Sequence, residues 1–162
     1  PLESESNMGP LAHEKQVSFL ETQIEKSVGE GATVLIGGKR AVNLGSSLYF
    51  EPTIILCPDR SISVSRTELF APCLSVIKFH KEEEAIEIAN DSEYGLAAYV
   101  AGEDPDKLMY FARNLNAGQV HLNYASGGSD APFGGFKKSG NGREKAEWGL
   151  EEFLEIKAIM GR

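Results

Sequence analysis

The chain has 162 residues, 41% hydrophobic and 25% charged, which is the composition of an ordinary folded domain and not of a disordered segment. Sixteen Lys and Arg against 24 Asp and Glu leave a formal charge of −8, which excludes general attraction to a nucleic-acid backbone. Apolar runs reach about five residues where a membrane span needs about 20, and two cysteines are too few for a secreted disulfide scaffold.

Translation does not start at proline, so further residues are expected before Pro1. The segment from Pro1 to Pro10 is polar and irregular. From Leu11 to Val28, apolar spacings of three and four put His13, Val17, Leu20, Ile24 and Val28 on one helical face. Gly29 and Gly31 stop that helix. Thr33 to Ile36 and Tyr49 to Leu56 read as strands joined by a long loop. Pro52 has no N–H, so the second strand is expected at an edge, or with a partner that avoids this position. Cys73 to Phe79 reads as a strand bounded by Pro72. A helix from Lys81 to Asn90 follows, with Glu82, Glu83 and Glu84 at its positive end. Leu96 to Ala101 is a strand. Asp104 then Pro105 is a helix start, N-cap followed by first position, and Leu108, Phe111, Ala112 and Leu115 share a face. Gly118 ends that helix, and Gln119 to Leu122 is the next strand. Strands alternating with helices predict an α/β fold with an open, mostly parallel sheet flanked by helices.

The stretch from Asn123 to Gly142 holds six glycines, a density that requires tight backbone turns or close approach to a ligand. Glu144 to Phe153 can form a helix. Leu154, Ile156, Ala158 and Met160 then alternate with polar residues, the pattern of a strand that must add to another sheet.

Phosphate motifs fail on detail. Gly135 to Gly140 has the spacing of a Walker loop, but Asn141 and Gly142 stand where Lys and Ser or Thr are needed. Gly29-x-Gly31 lacks a third glycine and precedes a strand, so the dinucleotide fingerprint fails too. Cys57 and Cys73 read as buried structural cysteines, and His13, His80 and His121 have no zinc spacing, so no metal is expected.

Two segments resist such readings: Thr67-Glu68-Leu69-Phe70-Ala71-Pro72, and the run from Ala131 to Glu144 that contains Pro132-Phe133-Gly134-Gly135-Phe136-Lys137-Lys138-Ser139-Gly140. Taken with Met8 to Leu11, Glu84 to Asp91, Tyr94 to Ala98 and Ala117 to Asn123, they occur in the order and spacing of the aldehyde dehydrogenase superfamily. The chain resembles the C-terminal part of that family over essentially its whole length.

The resemblance implies a parent enzyme that oxidises an aldehyde to a carboxylic acid with NAD or NADP through a cysteine thioester. Nucleophile, general base and Rossmann-like domain all lie upstream of the matching region, so no catalytic residue is carried over. Neither cysteine matches the nucleophile motif. Glu68 matches the glutamate that holds the nicotinamide ribose, a task suited to a carboxylate that accepts two hydroxyl bonds. Phe70 matches the aromatic beside the nicotinamide. Phe133 matches an aromatic of the substrate tunnel. The loop from Tyr124 to Asp130, including Ser126, matches the segment shaping the tunnel mouth. Thr67 and Ala71 depart from the family's acid and glycine. On this resemblance, residues 1–146 belong to the catalytic domain, and residues 147–162 to a helix end and an oligomerisation strand that makes a homo-oligomer. The expected setting is cytoplasmic, without nucleic acid or membrane as partner, and this chain alone is expected to be inactive and to bind no cofactor tightly. Two other readings stay open: a self-standing, non-catalytic assembly module, and a phosphate-binding α/β domain using the glycine-rich loop.

Overall fold

The computed structural model describes residues 3–161, in two compact units, the first ending at His80 and the second beginning at Lys81. Each is described by itself.

The first unit opens with α1 (Glu14–Gly29), then β1 (Thr33–Ile36), a short 3-10 turn (Val42–Leu44), β2 (Thr53–Cys57), α2 (Ser63–Arg66) and β3 (Cys73–Ile77). The sheet order is β1-β2-β3, with β1 antiparallel and β3 parallel to β2. The long-looped hairpin is therefore present. Its second strand is shorter than expected, because it begins at Thr53. Phe50 forms only an isolated bridge with Arg40. Pro52 thus sits outside the ladder, and β2 is the middle strand, not an edge.

The core of this unit is where the periodicity placed it. Val17, Leu20 and Ile24 of α1 pack with Phe50, Ile55, Cys57, Ile62, Val64 and Leu69. Two members of the expected helical face differ. His13 is not an apolar-face residue; it is the N-cap, and its Nδ1 accepts from the Gln16 backbone N–H at 3.1 Å. Val28 is exposed, and Ser27 is buried in its stead, its Oγ accepting from the Val64 N–H at 2.9 Å. A buried hydroxyl with a partner is tolerated where an unpaired one is not.

The second unit runs α3 (Glu82–Asn90), β4 (Tyr94–Gly95), β5 (Ala97–Val100), α4 (Pro105–Asn114), β6 (Gln119–Leu122), β7 (Phe136–Lys137) and α5 (Ala146–Glu151). Strands β5 and β6 pair in parallel across α4, a βαβ unit, while β4 and β7 pair antiparallel. Asp104 caps α4 as expected, accepting from the Asp106 and Lys107 N–H groups at 2.9 and 3.3 Å. Leu108 is the unit's one buried large apolar side chain among the described residues. The fold is α/β, with mixed and parallel sheets flanked by helices.

The expected strand from Leu154 to Met160 does not form within this chain. No ladder includes it, and Ile156, Ile159 and Met160 are at least 90% exposed. The reason is physical: alternation defines a face, but a strand needs a neighbour to supply its hydrogen bonds.

Candidate functional site

In the first unit, the chain from Thr67 to Pro72 links α2 to β3. Leu69 is buried in the core, and its carbonyl accepts from the Gln16 side-chain amide on α1. At the far end, the Pro72 carbonyl accepts from the Thr53 N–H at 2.8 Å. The segment is thus pinned at its middle and at its exit. Glu68 and Phe70 flank the buried leucine and are both exposed. Phe70 has φ of 47°, a left-handed conformation unusual for a bulky side chain, and its ring is 77% exposed. An aromatic ring held out of the core by a strained backbone is unusual, since burying it is the ordinary gain. Glu68 makes no hydrogen bond or ion pair among the described residues. The segment therefore presents a free acceptor-only carboxylate and a bare aromatic ring, one residue apart.

In the second unit, β6 leads into a turn at Asn123 and Tyr124, both left-handed with φ of 47° and 63°. The Asn123 side chain clamps Gly102, accepting from its N–H at 2.9 Å and donating to its carbonyl at 3.0 Å. Tyr124 and Ser126 are exposed beyond the clamp. Phe133 is half-buried, and its backbone exchanges two hydrogen bonds with Glu144, at 2.8 and 2.6 Å. The Lys145 ammonium lies 5.3 Å from the Phe133 ring centre. An open cavity of about 740 Å³ adjoins this bridge, with Phe133, Arg143, Lys145 and Phe153 in its walls. Glu68 and Phe70 lie in the first unit, and Tyr124, Ser126 and Phe133 in the second, where Phe133 lines this cavity and Ser126 lines a separate cleft.

The glycine-rich stretch has a structural purpose. A Cβ on Gly118 would lie 1.8 Å from the Gly134 carbonyl oxygen, and one on Gly134 would lie 2.5 Å from that of Gly142. A Cβ on Gly135 would meet Ser139. These glycines let backbone pack on backbone. The two lysines of the run are engaged as well. The Lys137 ammonium donates to the carbonyls of Asn90 and Ser92, both at 2.8 Å, closing the end of α3. Lys138 pairs with Glu93 at 2.6 Å. Neither resembles a phosphate ligand.

Both thiols are inert by environment. Burial pushes Cys57 above the usual thiol range, aided by Asp59 and opposed by Arg60. Burial likewise pushes Cys73 up to about 11. No group of three or more His, Cys, Asp and Glu among the described residues is arranged to hold a metal ion. No helix among them is long and apolar enough to cross a membrane.

Three residues beside the site have roles that the sequence reading did not assign: Gln16, His121 and Asn123. Gln16 and His121 each act through one side-chain bond, and Asn123 through two to Gly102. Only the strand register, which pairs Tyr99 with His121, could have drawn attention to one of them.

A pinned, aromatic-bearing segment and a clamped loop after a parallel strand are features of an α/β enzyme domain. Residues 1–159 match the Aldehyde dehydrogenase family. The chain belongs to that family. A 3-succinoylsemialdehyde-pyridine dehydrogenase of a Pseudomonas species is 44% identical over 162 residues, spanning 99% of this chain and 34% of that protein. The aldehyde dehydrogenase KauB of Pseudomonas aeruginosa superposes with a TM-score of 0.88 at 42% identity, over 96% of this chain and 32% of the other. A Mycobacterium tuberculosis aldehyde dehydrogenase complexed with NAD+ gives a TM-score of 0.89 at 37% identity, over 94% and 32%. The chain spans about a third of the length of the curated relatives it matches.

Proposed function

We propose that this chain is the C-terminal part of an enzyme that oxidises an aldehyde to a carboxylic acid through a cysteine thioester, with NAD or NADP as oxidant. The observation that carries the reading is the segment from Thr67 to Pro72: buried Leu69 between exposed, unpartnered Glu68 and left-handed Phe70. The residues fit a nicotinamide cofactor. A carboxylate that only accepts suits a ribose diol, and an exposed ring suits a flat heterocycle. Bound there, the cofactor would supply the hydride acceptor. Glu68 orients the ribose, Phe70 limits where the ring can lie, and the Gln16 bond to Leu69 keeps the two in place. Phe133, Tyr124 and Ser126 line the path of the aldehyde.

On this reading residues 1–146 belong to the catalytic domain, and residues 147–162 carry a helix end and an arm whose strand forms against a second copy. The exposed alternating face from Leu154 to Met160 supports that pairing. The thin core of the second unit supports further covering chain. On the family resemblance the nucleophile, base and dinucleotide domain belong to the part of the enzyme outside this chain, which spans 34% of a curated relative. The 162-residue chain alone accordingly turns over no aldehyde and binds no dinucleotide tightly. The enzyme works in the cytoplasm.

The test is Glu68→Gln in the full-length enzyme. Losing a charged acceptor on the ribose should lower the hydride-transfer rate by about tenfold, on the order of one charge-assisted bond, without moving the thermal midpoint. Unchanged single-turnover rates would count against the reading. So would NAD-dependent aldehyde oxidation by the isolated chain.

A further inference from the structure

We infer that His121 is a positioning residue that sets the aldehyde selectivity of this enzyme by fixing the turn that carries Tyr124 and Ser126. The inference rests on the reading of that turn as the tunnel mouth. It adds a residue outside the mouth that holds it in shape.

Three observations converge on His121. Its Nδ1 lies 2.7 Å from the Ala125 carbonyl oxygen. A carbonyl only accepts, so Nδ1 carries the proton and donates. The bond closes a turn of five residues, His121 to Ala125, around Tyr124. Next, the parallel register of β5 and β6 sets Tyr99 beside His121, and the two rings stack with centres 4.8 Å apart and planes within 14°. The imidazole is thereby held against rotation about its own χ angles. Finally, His121 and Ser126 share the wall of a cleft of about 250 Å³ between β6 and the loop. The brace therefore lines the same open cleft as Ser126 of the loop.

The turn needs such a brace. Asn123 and Tyr124 are both non-glycine residues in the left-handed region, a conformation that persists only where the surroundings enforce it. Asn123 is enforced by its clamp on Gly102. Tyr124 is 86% exposed, so its own side chain cannot supply the restraint. The restraint comes from the next residue, where the Ala125 N–H is bonded to Leu122 at 3.0 Å and the Ala125 carbonyl to His121. Without the imidazole bond the carbonyl is free to turn, and Tyr124 with Ser126 can leave the mouth. An aldehyde long enough to touch the loop would then lose its contacts, while a two-carbon aldehyde would not.

The experiment compares kcat/KM across straight-chain aldehydes from acetaldehyde to hexanal in the full-length enzyme. His121→Phe keeps the stacked ring and removes the donor. It should change the hexanal-to-acetaldehyde ratio by about fivefold or more, mostly through the KM for hexanal. His121→Asn restores a donor and should lie nearer the parent. Tyr124→Ala and Phe133→Ala report on the underlying reading. If they move the ratio and His121→Phe does not, the proposal is overturned and the tunnel reading stands. If neither moves it, or if no aldehyde of the series is oxidised, the tunnel reading falls and takes the proposal with it. A uniform loss for every aldehyde in His121→Phe, with a lowered thermal midpoint, would show a merely structural role and overturn the proposal. Should that variant not fold, Tyr99→Leu, which removes the stacking that holds the imidazole on the Ala125 carbonyl, is held to the same ratio.

Discussion

Replacing Gly118 by alanine tests whether the glycines of this fold serve packing. Gly118 stands at the entry to β6, between Gly95 on one side and Gly134 on the other. Its N–H donates to the Gly95 carbonyl at 3.0 Å, and the next N–H, of Gln119, donates to Leu96 at 3.1 Å. An added Cβ would lie 1.8 Å from the Gly134 oxygen, 2.8 Å from its carbonyl carbon and 3.1 Å from the Gly135 Cα. Real Cβ atoms stay beyond about 3 Å, so the two backbones must part by more than an ångström. All three obstructing atoms are backbone, so no side chain can swing away. Overpacking of this kind costs about 1–3 kcal/mol. Loss of the two flanking hydrogen bonds adds about 0.5–1.5 kcal/mol each, so the variant should be less stable by about 2–6 kcal/mol. Urea unfolding gives the number as a lowered midpoint at constant slope. Gly29→Ala is the control, since a Cβ there meets nothing within 4 Å and φ is not positive. It should be neutral or raise stability by up to about 1 kcal/mol. A Gly118→Ala protein within about 0.5 kcal/mol of the parent would refute the packing account, and would return the glycine-rich stretch to a ligand-binding reading.

The remaining expectations concern ionisation. With the Cys73 thiol at about 11, the thiolate fraction at pH 7 is about one in ten thousand. Iodoacetamide should therefore label Cys73 and buried Cys57 only after unfolding, and rapid neutral labelling of the folded protein would contradict the burial. Arg40 binds Glu21 with two parallel bonds, at 2.8 and 2.7 Å, and reaches Glu14 at 2.5 Å, so both carboxyls are held below the ordinary glutamate range by the guanidinium. A lowered folded-state pKa gives stability that is complete above the unfolded value, about 4.3, and lost as pH falls through the folded one. Arg40→Met should flatten the stability profile below about pH 4. A profile with the parent's slope would show that the cluster is unlinked to folding.

Much of the fold was legible because its local rules and its packing agree. The α1 face at Val17, Leu20 and Ile24, the Asp104 cap and the strand from Gln119 to Leu122 follow from periodicity and capping alone. The departures have physical causes. His13 sat at the right spacing for the apolar face, yet a side-chain acceptor at the first turn does more by capping than by packing. Ser27 is buried because Val64 brings it a donor from another element, and no local pattern records that. The short pair β4 and β7 was missed because two-residue ladders leave no period to read. In the candidate site, Glu68, Phe70, Tyr124, Ser126 and Phe133 were named from motif resemblance. Composition gave no reason for an exposed phenylalanine. The backbone gives one: Leu69 takes the interior position, and a left-handed Phe70 turns its ring outward.

The same contrast explains the two ends of the functional reading. Leu69 and Phe70 are adjacent, and both are strongly apolar side chains. Burial of both would remove more surface from water than burial of one. The chain instead accepts a strained backbone and a bare ring at Phe70, and ties down its neighbour through Gln16. Residues 154–160 make the complementary case, with Leu154, Ile156 and Met160 exposed in a stretch whose alternation asks for a sheet. In both places the folded chain withholds apolar surface that it had the means or the pattern to bury. A single chain gains nothing by that. On the proposed function the gain arises when another surface arrives, a flat heterocycle at Phe70 and a neighbouring strand at Leu154. The left-handed backbone sets Phe70 apart from the scattered exposed apolar residues any surface carries.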